Sequence, residues 1–319
     1  MFEGFANVWT PALLAAKLGR KPVRVRIAGE PVVLFRGPDG APGALIDRCP
    51  HRGSALSLGQ VGVDGCIECP FHGWRFGVDG SNRRVPLNPD ARRDRLGATP
   101  LPVRRLGELI WIRTSPGVES PDEPAIPEGL TARGLARVYL DRVWACHWTR
   151  AMENMLDSPH VPFVHRATIG RAFRKQMTLE SRLDVAWEET PWGGRARSAL
   201  DGQESPAFLE YFRPGVMALN IPIPGRRLQI YALVTPIDRN HTRLTVAGSR
   251  DFARLPLLDP LFAWINGRIA DEDKAVVESS SPSEIPSPGA ELSVSTDRAT
   301  LQFRKYYIET LKSSSAVAA

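Results

Sequence analysis

Apolar and polar residues alternate with a period of two at Val23, Val25 and Ile27, and a solid apolar run, Val32-Val33-Leu34-Phe35, follows at once. This pattern predicts strands over residues 22–36, and a further apolar stretch predicts another over 109–113. Gly and Pro punctuate this part of the chain at short intervals, which predicts a small antiparallel β domain. Residues 115–129 then carry Pro116, Pro121, Pro124 and Pro127 among scattered acids, a composition that packs poorly and marks a boundary. Beyond it the pattern is mixed. A helix is predicted over 144–157, strands over 228–234 and 243–248 around an Asp238-Arg239-Asn240 turn, and helices near 257–279 and 297–312. Strands between flanking helices indicate an α+β fold. The expected organisation is a β domain at 1–118, a Pro-rich linker at 119–129 and a second domain at 130–319, with residues 313–319 frayed.

One predicted helix has an anomaly in its apolar face. Leu258, Phe262, Ile265, Ile269, Asp273 and Val276 follow one another at helical steps, so Asp273 sits inside a greasy stripe. A buried carboxylate without a partner is costly, and metal coordination or a salt bridge would relieve it. Asp271 and Glu272 fall off that stripe and read as solvated.

The 319 residues are 43% apolar and 24% charged, the balance of a soluble globular protein of about two domains. No apolar run approaches the roughly 18 residues of a membrane span. Glu3 and the lack of a basic region ahead of an apolar stretch argue against a secretory leader. Four cysteines are too few for a disulfide framework, so a cytoplasmic location is expected. The net charge of +6 is uneven: residues 1–113 hold 17 basic and 10 acidic side chains, the remainder 24 and 25. The basic pairs lack the aromatic interleaving of a nucleic-acid platform, so the positive half is expected to steer an acidic electron-donor protein.

Two matched pairs carry the chemistry. Cys49-Pro50-His51 and Cys69-Pro70-Phe71-His72 each offer one thiolate and one imidazole, with 17 residues between them. A Rieske 2Fe-2S centre needs that set, two Cys on one iron and two His on the other. Zinc accepts the same ligands, although its motifs usually group like with like. Cys66 and Cys69 also read as C-x-x-C, but that pairing leaves His51 and His72 without a role. A second group follows the boundary, where His160 and His165 lie among Pro159 and Pro162 with Asp157 and Asn154 just upstream. Two His and one carboxylate with open positions form the facial triad of non-haem ferrous iron. Five residues turn a regular helix by about 140°, so the prolines must break it before both rings can face one ion.

With their flanks, Cys49-Pro50-His51-Arg52-Gly53 and Cys69-Pro70-Phe71-His72-Gly73-Trp74 resemble the cluster loops of Rieske-type non-haem iron oxygenases. Ser54 and Phe71 stand where respiratory Rieske proteins carry an extra disulfide, which places the resemblance in the oxygenase branch. It extends to the second half, which is similar to the family's helix-grip (START-like) catalytic domain, a curved antiparallel sheet around a long helix. The fold class implied is α+β, a Rieske domain followed by that catalytic domain. Glu272-Asp273-Lys274 resembles the segment that supplies the family's carboxylate ligand. The resemblance implies Cys49, His51, Cys69 and His72 on the cluster, and His160, His165 and Asp273 on Fe(II). It further implies Asp157 as the bridge to His72 of a neighbouring subunit in a homotrimer, with Asn154 supporting the iron.

No G-x-G-x-x-G turn is present to hold a nicotinamide or flavin, so electrons from NAD(P)H are expected through a separate reductase or ferredoxin. The activity implied is monooxygenation, by hydroxylation or O- or N-demethylation, of an aromatic or polycyclic molecule with dioxygen. Ring cis-dihydroxylation and a Rieske carrier fused to a non-catalytic binding module are the alternatives. Asn220 is expected on a cavity-lining strand, His147 packed within its helix, and Cys146 in the core.

Overall fold

A computed structural model describes residues 1–313, so most of the stretch expected to fray, 314–319, lies outside the described residues. The chain forms two compact units, Met1–Pro124 and Ala125–Ala319.

The first unit is built from β1 (Trp9–Leu14), β2 (Val23–Ile27), β3 (Glu30–Arg36), β4 (Pro42–Ile46), β5 (Gln60–Val61), β6 (Ile67–Glu68), β7 (Arg75–Phe76), β8 (Asn82–Arg84), β9 (Val103–Leu106) and β10 (Leu109–Arg113). They make three antiparallel sheets in the orders β1-β10-β9, β2-β3-β4 and β5-β6-β7-β8. The predicted alternation over 22–36 resolves into a hairpin whose two-residue loop, Ala28-Gly29, has φ of 45° and 84°, the backbone of a turn that follows strand twist. Val33, Phe35, Leu45, Leu56, Ile67 and Phe76 form one buried cluster, and Cys49 and Cys69 belong to it. The cluster loops thus rest on the core of the unit.

The proline-rich stretch is less independent than its composition suggests. Asp122 accepts from Trp9 Nε1 at 3.0 Å and Arg113 Nε at 2.9 Å, and Glu123 accepts from Arg104 Nε. Acids scattered among prolines need no regular structure to pair with cations on strand edges.

The second unit contains β11 (Ala136–Trp144), α1 (Trp148–Leu156), α2 (Val161–Val164), α3 (Gly170–Gln176), β12 (Leu183–Thr190), β13 (Gly193–Leu200), β14 (Gln203–Phe212), β15 (Val216–Ile223), β16 (Arg226–Pro236), β17 (Thr242–Arg250), α4 (Asp259–Glu278) and α5 (Arg298–Tyr306). Its seven strands form one antiparallel sheet in the order β11-β17-β16-β15-β14-β13-β12, packed against α1, α4 and α5. This is an α+β architecture.

Strands β11 to β14 are absent from the sequence-based expectation, and of β15 only the place of Asn220 on a strand was expected. Several carry charges on their outward positions, as in Leu183–Thr190 with Asp184 and Glu188, and there Glu189 on the other face also breaks the period of two. The Asp201-Gly202 pair between β13 and β14, with φ of 50° and 77°, was the available hairpin signal. Helix α1 starts later than predicted because residues up to 144 belong to β11. His147 does not pack within the helix; it caps it, its Nδ1 accepting from Thr149 N. Burial lowers its pKa to about 4, so the ring stays neutral and fit to accept.

Helix α4 is also rotated relative to its apolar stripe. Asn266, Gly267, Ala270, Asp273 and Val277 are buried, whereas Ile265 and Val276 are largely exposed. Small residues at 267 and 270 let the helix approach its neighbours closely, and that close contact sets the buried face. Asp273 is buried on either reading, at 4% exposure.

Helices α1 and α5 are tied together by charge. Arg150 pairs with Glu153 at 3.0 Å and Glu291 at 2.6 Å, while Arg304 reaches the same two carboxylates. Arg150, followed by Arg304, holds the Glu291 carboxyl down at about 2 against opposing burial. A carboxyl so depressed stabilises the fold above its unfolded pKa near 4.3, and that contribution is lost as pH falls toward 2. Glu291→Gln should therefore cost about 1–2 kcal/mol at neutral pH. Denaturant melts should show the gap closing as the pH is lowered from 5 toward 2.

Candidate metal centres

The two cluster loops share one backbone turn. Cys49 N donates to Ser54 O at 2.8 Å and Gly53 N to Cys49 O at 2.9 Å; Cys69 N donates to Trp74 O at 2.8 Å and Gly73 N to Cys69 O at 3.0 Å. Gly53 and Gly73 close these turns with φ of 73° and 69°, a region that favours glycine. The histidine stands two residues after the cysteine in one loop and three after it in the other, and the rings meet with centroids 4.6 Å apart. Trp74 stacks parallel on His51 at 4.6 Å, and Phe71 lies over His72 at 4.0 Å.

Burial separates the two ligand types. Cys49 and Cys69 are each 2% exposed, whereas both histidines are exposed. Burial, opposed by backbone N–H groups and aided by the Cys69 thiol beside it, pushes the Cys49 thiol up to about 11. Such a thiol ionises readily only with a metal to receive the sulfur. Among the described residues, one group of three or more Cys, His or carboxylate donors converges on a single point, and it is not this one. A single zinc would need such convergence. A thiol pair at the base and an imidazole pair at the tip instead suit a group with two separate irons, so the residues fit a Rieske cluster. Cys66 stays apart, its thiol turned to Asp64 O at 3.9 Å.

The converging group is His160, His165 and Asp273. Helix α1 ends at Leu156, and a short non-helical segment through Pro159 carries the chain into α2, whose first turn holds Pro162. The break places His160 just before α2 and His165 just after it, with Asp273 brought over by α4. Their facing atoms form a near-equilateral triangle: His160 Nε2 to His165 Nε2 is 3.3 Å, His160 Nε2 to Asp273 Oδ1 is 3.5 Å, and His165 Nε2 to Asp273 Oδ1 is 3.1 Å. Asp273 Oδ1 is buried and meets neither ring at hydrogen-bonding geometry. An ion about 2.1 Å from each atom would see them at roughly 95–115°, to one side of their plane, with its other side free. The orphaned oxygen, the spacing and the donor types fit a facial ferrous site.

Sequence reasoning missed the support for this triangle. Glu272, expected to be solvated, has its Oε2 2.9 Å from His165 Nδ1 and accepts from Thr168 Oγ1 at 2.6 Å. Helical angle alone puts Glu272 off the stripe, and only the placement of α2 shows that its longer side chain reaches the ring. Burial works to lower the His165 pKa, but Asp273 and Glu272 outweigh it and the net direction is upward. Glu272→Ala should weaken metal binding about 10–100-fold, measurable by competition with a chelator, because the ring loses its orienting acceptor.

Asp157 is the residue that ends α1, not a member of the helix, and its Oδ2 accepts from His160 N at 3.1 Å. The same oxygen lies 3.3 Å from His160 Nδ1, which makes no hydrogen bond among the described residues. Asn154 is one turn back, its Nδ2 buried and unpaired. Both line a cavity of about 590 Å³ that opens over the triangle and runs beneath the sheet. Asn220 does not line it. Leu219 and Ile221 face the cavity, so Asn220 points to the other side of β15, bonded to Gln229 and Glu210.

Fold and sites together define a protein with a β domain carrying two Cys/His loops and a sheet-and-helix domain in which two histidines and an aspartate converge. The model of the Rieske [2Fe-2S] domain matches residues 8–102, and that of the vanillate O-demethylase oxygenase C-terminal domain matches residues 144–312. The chain belongs to the Rieske-type non-haem iron oxygenases, whose cofactors are a Rieske 2Fe-2S cluster and Fe(II). It is 30% identical over 299 residues to chlorophyllide a oxygenase of Chlamydomonas reinhardtii, covering 86% of this chain and 43% of that protein. It is 27% identical over 304 residues to methylxanthine N3-demethylase NdmB of Pseudomonas putida, covering 91% and 83%. The chain spans about half the length of several curated relatives that it matches. The solved structure of Pseudomonas putida CBB5 NdmB superposes with a TM-score of 0.83 at 25% identity, covering 98% of this chain and 91% of that one. Dicamba monooxygenase bound to dicamba gives 0.81 at 24%, covering 98% of each, a likeness of fold. Among the described residues no helix is long and apolar enough to cross a membrane.

Proposed function

We propose that this chain is a terminal oxygenase component that monooxygenates an aromatic or polycyclic small molecule, by hydroxylation or by O- or N-demethylation. The observation that carries the reading is the triangle of His160, His165 and Asp273 beside a largely apolar cavity. A non-catalytic binding module would have no use for a buried carboxylate oxygen left without a donor. The demethylases among the relatives support a single-oxygen reaction over cis-dihydroxylation.

Cys49, Cys69, His51 and His72 would hold the cluster, and His160, His165 and Asp273 the ferrous iron. When bound, the iron supplies dioxygen activation and the cluster supplies single electrons. The chain's own residues do the rest. Glu272 fixes the tautomer and angle of His165. Asp157 holds the His160 backbone and stands beside Nδ1, the outer end of the electron path, which would reach His72 of a neighbouring subunit in a homotrimer. Asn154 offers a free amide at the metal end of the cavity. The apolar wall keeps water from the reacting carbon, and a methyl group hydroxylated there on O or N would leave as formaldehyde.

Electrons would come from NAD(P)H through a separate reductase or ferredoxin drawn to the basic first half, in the cytoplasm. If so, turnover should fall several-fold between 50 and 300 mM salt as the Debye length shrinks. The direct test is anaerobic reconstitution: three irons per chain, a Rieske spectrum, and product gaining oxygen or losing a methylene when reductase is added. Zinc in the first site or no metal in the second would sink the reading.

A further inference from the structure

The cavity wall is almost free of charge. Apart from His160, His165 and Asp273, its one ionisable lining residue among those described is Asp157, and no Lys or Arg contributes. A carboxylate, sulfonate or phosphate entering this space would lose its hydration without meeting a cation from the protein, and would face two aspartates. Much of the rest of the wall is built of side chains such as Leu219, Ile221, Ile230, Val246 and Ile269, which reward apolar rings.

Of the neutral polar residues that line the cavity, Asn154, Ser158 and Gln176 among them, one is buried. Asn266 is 6% exposed, lines the cavity, and its carboxamide makes no hydrogen bond to any described residue. Ser198 and Ser205 also line the space, but both are partly exposed. A buried amide left unpaired costs free energy, and the cavity is the side from which a partner can come. Asn266 precedes Asp273 by seven residues on the buried face of α4, about 10 Å along the helix axis.

We infer that the cavity selects an uncharged, ring-based substrate carrying one carbonyl or hydroxyl about two helical turns from the carbon oxidised, and that Asn266 is the residue binding that group. The carboxamide both donates and accepts, so it serves either function. The inference rests on the oxygenase reading for where the reacting carbon lies. The selectivity itself is a matter of binding and is separable from turnover.

Three probes decide it: a methoxynaphthalene bearing, at the far end, a methyl ketone, an ethyl group or a carboxylate. Each is titrated calorimetrically into the reduced, iron-loaded protein under nitrogen. The ketone should bind about ten-fold tighter than the ethyl compound and about a hundred-fold tighter than the carboxylate. Asn266→Leu should bring the ketone to the level of the ethyl compound while leaving the latter no weaker. Asn266→Ser replaces it if the leucine variant does not accumulate as loaded protein. A carboxylate within ten-fold of the ketone, a ketone preference that survives both substitutions, or no binding of any probe below 1 mM overturns the inference. Formaldehyde release with reductase, measured in parallel, keeps the two readings apart. The binding pattern without product sinks the oxygenase reading alone, and product without the pattern sinks the inference alone.

Discussion

Asp273→Ala is expected to empty the mononuclear site while leaving the cluster spectrum intact. Two of the three facing donors would remain, His160 and His165, held by a backbone that the substitution does not touch. Two imidazoles without the carboxylate neutralise none of the ferrous charge and leave the coordination set incomplete, so iron should drop from three to two per chain and turnover to background. The same variant makes a second, opposite prediction. In metal-free protein Asp273 is a buried carboxylate whose Oδ1 lacks a well-aligned donor, a state that lowers stability. Metal-free Asp273→Ala should therefore melt no lower than metal-free wild type, within about 1 kcal/mol. Loss of the cluster along with the iron, or a markedly less stable apoprotein, would show that Asp273 holds the fold and not a metal.

Asp157→Ala should have the contrary signature, with all three irons present and electrons stalled at the cluster. Asp157 contributes no atom to the triangle; it holds His160 from outside through the backbone N–H and stands 3.3 Å from Nδ1. Removing it leaves the donor atoms in place, with metal affinity reduced by about ten-fold or less. Steady-state turnover should fall on the order of a hundred-fold or more if the carboxylate is the bridge to His72 of the partner subunit. Rapid mixing resolves the two steps: cluster reduction by the donor at the wild-type rate, cluster reoxidation by dioxygen and substrate nearly abolished. Unimpaired reoxidation would refute the bridging role. Asp157→Asn separates charge from shape, since the amide oxygen can still accept from His160 N.

How far residues alone reach is clearest at the two sites. The cluster loops are short and self-contained: a cysteine, its proline, a histidine and a positive-φ glycine within five or six residues, so their turn is decided locally. His160 and His165 were legible for a similar reason, because Pro159 and Pro162 forbid the helix that would have driven the rings apart. Asp273 was found through a stripe that the folded helix does not bury, since Gly267 and Ala270, too small to register in an apolar pattern, face inward and Ile265 and Val276 do not. Asp273 is nevertheless buried because the predicted stripe and the face that the folded helix turns inward overlap at that position.

By itself the sequence determined which residues are candidate ligands, the two-part order of the chain and the strands whose alternation is uninterrupted, because these follow from residue type, proline placement and periodicity over a few positions. Tertiary structure decided which side each strand of the second sheet turns to the cavity, and so removed Asn220 from the wall and put Leu219 and Ile221 there. It also decided that Glu272 holds His165 and that Asn266 is buried against a cavity without Lys or Arg. Those are contacts between segments a hundred residues or so apart, fixed by sheet register and helix rotation, and no local propensity encodes either.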